Sequence, residues 1–193
     1  MYQNKWKREV FTIPNLLSLF RLALIPVYMK LYLHAAAPDQ YHFAGLILAI
    51  SCLTDAMDGI IARRFHMVST VGKILDPLAD KITQFSLILC LALRYPALKP
   101  VLALFTAKEV MQILLGIFYL RRGKMLPGAL MAGKICTTVL FVSLILLVFF
   151  PNANSFAVRS IAMTDMVFLS ISLVSYYFAY FGSDCKVQDL DAE

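Results

Sequence analysis

The chain has 193 residues, 60% of them hydrophobic and only 16% charged, with a formal net charge of +6. That balance, with a mean hydropathy of +0.73, excludes an ordinary soluble domain, in which about half the residues are apolar and a quarter charged. It describes an integral membrane protein, and at roughly 20 residues per span several spans use nearly the whole length, so residues 1–193 are expected to form a single domain.

In chain order, the start MYQNKWKREVF places Lys5, Lys7 and Arg8 among Trp6 and Phe11. A short interfacial helix over about residues 1–11 fits, with the aromatic rings in the headgroup layer and the lysines in water. The apolar segment that follows is too long for a signal peptide, contains Arg21 and lacks a small-residue cleavage site, so it reads as a retained span. Apolar runs broken by polar or turn residues predict six helices, at about 12–33, 41–61, 74–94, 99–120, 128–150 and 157–181, followed by a tail over 183–193. The expected fold is an all-α bundle of six transmembrane helices.

Basic residues favour cytoplasmic loops. Lys5, Lys7 and Arg8, then Arg63, Arg64 and Lys73, then Arg121, Arg122 and Lys124, fall on alternate connections, and Lys186 lies in the tail. The remaining connections offer only Arg94, Lys99 and Arg159. Both termini are therefore expected in the cytoplasm, under a basic face suited to anionic lipid. No basic aromatic stripe argues for nucleic acid. Cys52, Cys90, Cys136 and Cys185 form no CxxC pair and have no histidine cluster beside them, so they read as free thiols and not as a zinc site.

The second and third predicted helices are the impure ones. Side chains three and four apart share a helix face, so Asp55, Asp58, Gly59, Ala62 and Arg63 form one stripe and Gly72, Asp76 and Asp80 another. Pro77 suits a helix start or a kink. A link of about ten residues returns the chain antiparallel, which lets the stripes face each other and gathers four carboxylates at the cytoplasmic edge. Crowded carboxylates repel and are costly to desolvate, and Arg63 alone cannot balance four of them. Hard divalent cations take carboxylate oxygens readily and often act in pairs in phosphoryl chemistry. The small residues on the stripes leave room for a ligand near the backbone, which points to a phosphate-bearing substrate lying on metal ions, with Arg63 on its oxygens.

The eight positions Asp55, Asp58, Gly59, Ala62, Arg63, Gly72, Asp76 and Asp80 reproduce, at every spacing, a pattern that resembles the signature of the CDP-alcohol phosphatidyltransferases. The stretch TIPNLLSLFRLALIP also resembles the opening of the phosphatidylglycerophosphate synthase and cardiolipin synthase branch. The resemblance implies that the four aspartates bind two Mg2+ or Mn2+ ions under the diphosphate of CDP-diacylglycerol and that Asp80 also acts as the base. It implies further that Gly59, Ala62, Arg63 and Gly72 shape the nucleotide pocket, and that the enzyme is a homodimer in the cell membrane with its site at the cytoplasmic interface.

For the acceptor, a small or lipid alcohol, PGALMAGKICTT resembles the family's basic and threonine segment and puts Lys134 near Thr137 and Thr138. Lys134 with Arg121, Arg122 or Lys124 is a candidate for the phosphate of glycerol 3-phosphate, and Arg21 and Asn15 are candidates to line the cavity. Where phosphatidylglycerophosphate synthases often carry Arg-Glu, this chain has Lys108 and Glu109. A cardiolipin synthase using phosphatidylglycerol is the alternative within the family. Intramembrane acids also mark cation or proton transporters, but here they gather at one face and no pair of broken helices repeats in two halves. Tyr176, Tyr177 and Tyr180 read as an aromatic belt, and Asp165 receives no role.

Overall fold

A computed structural model describes residues 13–64, 72–121 and 131–181. Six α-helices run through them: α1 Ile13–Leu33, α2 Pro38–Arg64, α3 Gly72–Arg94, α4 Lys99–Arg121, α5 Met131–Phe149 and α6 Ser155–Phe181. One 3-10 turn, Pro96–Leu98, precedes α4. The expected interfacial helix, the tail and the 65–71 and 122–130 connections lie outside the described residues.

Local chemistry sets several of these ends. Pro38 opens α2, where its missing N–H would have no partner anyway, and Gln40 Oε1 accepts from the Ala36 and Ala37 amides at 2.6 and 3.3 Å. Asn154 Oδ1 accepts from the Ala157 amide at 2.7 Å and so caps the start of α6. Pro77 neither starts nor stops a helix: it lies inside α3, with Asp76 and Asp80 on successive turns of the same element.

The chain packs as two compact units, residues 1–91 with 147–152 and residues 92–146 with 153–193. In the first, Ile25, Tyr28 and Tyr32 of α1, Ala44 and Leu48 of α2 and Leu87 and Ile88 of α3 form the core. Tyr32 stacks edge-on against Tyr41 with ring centroids 5.2 Å apart, a contact between α1 and α2 beside their short connection. In the second, Leu98, Val101, Phe105, Leu140, Leu144, Val158 and Leu169 are buried.

The outward faces are apolar. Leu53, Ile113, Leu114, Phe156 and Phe178 are each 60% exposed or more, a burden of open hydrocarbon that water does not tolerate and lipid does. Asn15–Leu33, Pro96–Phe118 and Ser155–Ala179 are long and apolar enough to cross a membrane, and Gly133–Phe149 is a shorter apolar helix. The protein is an all-helical membrane protein.

Candidate active site

The buried face of α1 is a stripe at helical spacing: Asn15, Ser18, Arg21, Ile25, Tyr28 and Tyr32. Its first half is polar and its second half apolar. Asn15 and Arg21 are 1% and 2% exposed, so in a lipid-embedded helix their groups must be satisfied from within the protein. They face inward, as expected of polar residues in a span.

Side-chain bonds tie this polar half to α3. Ser18 Oγ donates to Asp76 Oδ1, and Arg21 Nη1 donates to Asp80 Oδ1 in an ion pair. The donors are three apart on α1 and the acceptors four apart on α3, so each helix offers its groups on one face at matching rise. The ion pair is asymmetric: the Arg21 side chain is 2% exposed and that of Asp80 is 47% exposed. The guanidinium is buried while the carboxylate opens outward.

Asp55, Asp58, Gly59, Ala62 and Arg63 lie on the α2 helix, and Gly72 is the first residue of α3; their side chains are outside the described residues. The helix axis still gives their level. Ser51 of α2 and Thr83 and Ser86 of α3 line one small cavity together with Tyr28 of α1. Asp55 is one turn beyond Ser51, and Asp80 nearly one turn before Thr83, so both acid-bearing segments continue from the cavity in the same direction. Among the described residues no three His, Cys, Asp or Glu side chains gather, two of the four signature aspartates being described at that level.

The second unit holds the other polar residues. Lys108 of α4, 1% exposed, pairs through Nζ with Glu109 Oε1 at 2.8 Å. Asp165 of α6 is fully buried, and Ser143 Oγ of α5 lies 2.8 Å from both its oxygens. Lys134 of α5 and Arg121 at the end of α4 are exposed; Arg122 and Lys124 lie outside the described residues. The hydroxyls of Thr137 and Thr138 donate back to the Lys134 carbonyl at 3.0 and 2.9 Å, so they serve the helix backbone.

The tyrosine belt divides. Tyr177 is exposed as a belt residue should be, but Tyr176 is buried and lies against Gly133. Consecutive helical residues point about 100° apart, and Tyr176 continues the buried stripe Asp165, Leu169 and Ser172. Ser18 was the site residue that sequence reasoning missed. The available signal was its spacing, three after Asn15 and three before Arg21.

The family profile described as CDP-alcohol phosphatidyltransferase matches residues 11–174. The chain belongs to that family. A cardiolipin synthase (CMP-forming) of Streptomyces coelicolor is 34% identical over 131 residues, 67% of this chain and 61% of that protein. A CDP-diacylglycerol–glycerol-3-phosphate 3-phosphatidyltransferase of Aquifex aeolicus is 34% identical over 173 residues, 85% of this chain and 93% of that protein. The enzyme of the same name from Escherichia coli K12 is 32% identical over 145 residues, 74% of this chain and 79% of its own. As a CDP-alcohol phosphatidyltransferase, the chain is a transferase of phospholipid biosynthesis, and the eight positions that resemble the family signature lie on α2 and α3.

Proposed function

We propose that this membrane enzyme transfers the phosphatidyl group of CDP-diacylglycerol to glycerol 3-phosphate, forming phosphatidylglycerophosphate and CMP. The observation that carries the reading is the pair Asp76 and Asp80, one turn apart on α3 and each held from α1, with Asp80 opening outward. The carboxylates present are hard oxygen donors on a helix face that opens outward, and this donor chemistry fits Mg2+ or Mn2+. Asp76 and Asp80, with Asp55 and Asp58 of α2, would hold two such ions. Bound there, divalent cations neutralise charge on the diphosphate.

The chain's own groups do the rest. Asp80 takes the proton of the acceptor hydroxyl, whose oxygen forms a bond to the lipid-side phosphorus. The bond from that phosphorus to the bridging oxygen breaks, and CMP leaves with the electron pair. Arg63 binds phosphate oxygens, and Gly59, Ala62 and Gly72 let the nucleotide approach the helices closely. Lys134, with Arg121, supplies charge for the acceptor phosphate, and Asn15 and Arg21 line the cavity.

In this reading residues 1–193 form one six-span domain in the cell membrane, with both termini and the site at the cytoplasmic side, and two copies pair as a homodimer. Alternating basic connections support that orientation. The second reading is a cardiolipin synthase using phosphatidylglycerol, which the similarity to the Streptomyces coelicolor protein favours. A transporter is set aside because the chain is a family member with all eight signature residues.

The test supplies purified protein with CDP-diacylglycerol and one acceptor at a time, with serine and inositol as controls, and identifies the lipid product. Phosphatidylglycerophosphate is expected. Cardiolipin made only from phosphatidylglycerol would replace the acceptor and keep the site.

A further inference from the structure

Arg21 is a permanent cation set against a carboxylate that the proposed function assigns to metal. Its guanidinium is 2% exposed, whereas the Asp80 side chain is 47% exposed and opens away from the interior. A pair that only locked α1 to α3 would be expected to bury both charges, because an open carboxylate is partly screened by water and holds its partner less firmly. Here the buried member is the cation, and the member turned outward is the one a dication would seek. The neighbouring bond is different in kind, because Ser18 donates to Asp76 without bringing charge.

We infer that Arg21 is the resident counter-ion of the site: it neutralises Asp80 when no divalent cation is present and turns to phosphate oxygens of the substrate when one is. The inference rests on the metal reading of Asp80 given above. Its physical core is repulsion, since a guanidinium and a dication that share one carboxylate disfavour each other. Released from Asp80, the planar fork of Arg21 suits two oxygens of a phosphoryl group, which a lysine ammonium does not match. Ser18 would hold Asp76 in orientation throughout. A helix-locking role and a counter-ion role then differ in sign. Removing a lock should weaken cation binding by loosening the carboxylates, and removing a competing charge should strengthen it.

The experiment measures Mn2+ binding by the full chain in lipid nanodiscs, from the free-ion electron paramagnetic resonance signal, without CDP-diacylglycerol, beside CMP release. Arg21→Gln is expected to bind Mn2+ roughly tenfold tighter or more, while kcat falls. Arg21→Lys, which keeps the charge, should bind Mn2+ close to the wild-type value and also lose kcat. Ser18→Ala should show no tightening. Unchanged or weaker Mn2+ binding in Arg21→Gln overturns the inference, as does equal tightening in Arg21→Lys. If only Arg21→Lys is recovered folded, wild-type Mn2+ affinity with reduced turnover supports the inference and loss of Mn2+ binding overturns it. A wild-type protein that releases CMP but binds no Mn2+ would instead remove the metal reading itself, and this inference with it.

Discussion

Replacing Gly133 by alanine tests how tightly the start of α5 is fitted to α6. A Cβ at Gly133 would lie 2.6 Å from Tyr176 Oη, 3.0 Å from its Cε2 and 3.2 Å from its Cζ. Tyr176 is 8% exposed and has only two side-chain torsions, so the ring cannot simply swing aside. Overpacking of this kind costs about 1–3 kcal/mol, against about 1 kcal/mol gained when alanine replaces glycine in a helix. Gly45→Ala is the milder comparison, because its Cβ would meet Val148 Cγ1 at 3.3 Å and Phe149 at 3.4 Å, tight contacts that ask the neighbours to give by only a few tenths of an ångström. The propensity gain is common to both variants, so the two should differ by about 1–3 kcal/mol, or roughly 2–12 °C in unfolding midpoint for a chain of this size. A thiol-reactive dye can read the midpoint, since Cys90 and Cys136 are buried free thiols that unfolding exposes. Tyr176→Phe removes the nearest atom and should recover part of the loss in the double variant. Because Lys134 follows Gly133 directly, the same variant should raise the KM for the acceptor. Equal midpoints for Gly133→Ala and Gly45→Ala, or no recovery with Tyr176→Phe, would refute the packing.

Asp80→Asn should lower CMP release by about 100-fold or more, as should chelation of divalent cations in the wild type; near-normal turnover in either case would remove the assigned role. Lys134→Ala should raise the apparent KM for glycerol 3-phosphate about tenfold with a smaller effect on CDP-diacylglycerol, and equal effects on both substrates would count against an acceptor contact. Ser143→Ala leaves the buried Asp165 carboxylate without that donor and should cost about 1–3 kcal/mol of stability. The Ser143→Ala and Asp165→Asn losses should then be non-additive in a double-mutant cycle.

Helix existence was legible wherever an apolar run ended abruptly. The expected 12–33, 99–120 and 157–181 became Ile13–Leu33, Lys99–Arg121 and Ser155–Phe181. The largest difference is α2, expected over 41–61 and observed as Pro38–Arg64, because helix persists wherever backbone bonds are met, whether the side chains are apolar or not. Asp76 and Asp80 on neighbouring turns followed from spacing alone. Their α1 partners did not: Ser18 is 58 residues from Asp76, and a serine in an apolar helix commonly bonds its own backbone. Tyr176 misled for a related reason. Its composition says interface, but its place on the Asp165, Leu169 and Ser172 stripe says core.

The same distinction between residue type and surroundings separates Lys108 from Lys134 as candidates for an acceptor phosphate in the second unit. Lys108 has the more conspicuous position, buried in the middle of an apolar helix. Its ammonium already meets Glu109 at 2.8 Å, so a phosphate there would have to approach a carboxylate and break a pair shielded from water. Lys134 is exposed on α5, and the Thr137 and Thr138 hydroxyls engage the carbonyl of its backbone, not its side chain. Its ammonium can reach an incoming anion without giving up a buried partner. Charge that must be available to a substrate that comes and goes belongs where desolvation is incomplete until the substrate arrives, and on that ground we propose Lys134 for the acceptor phosphate and a structural role for Lys108.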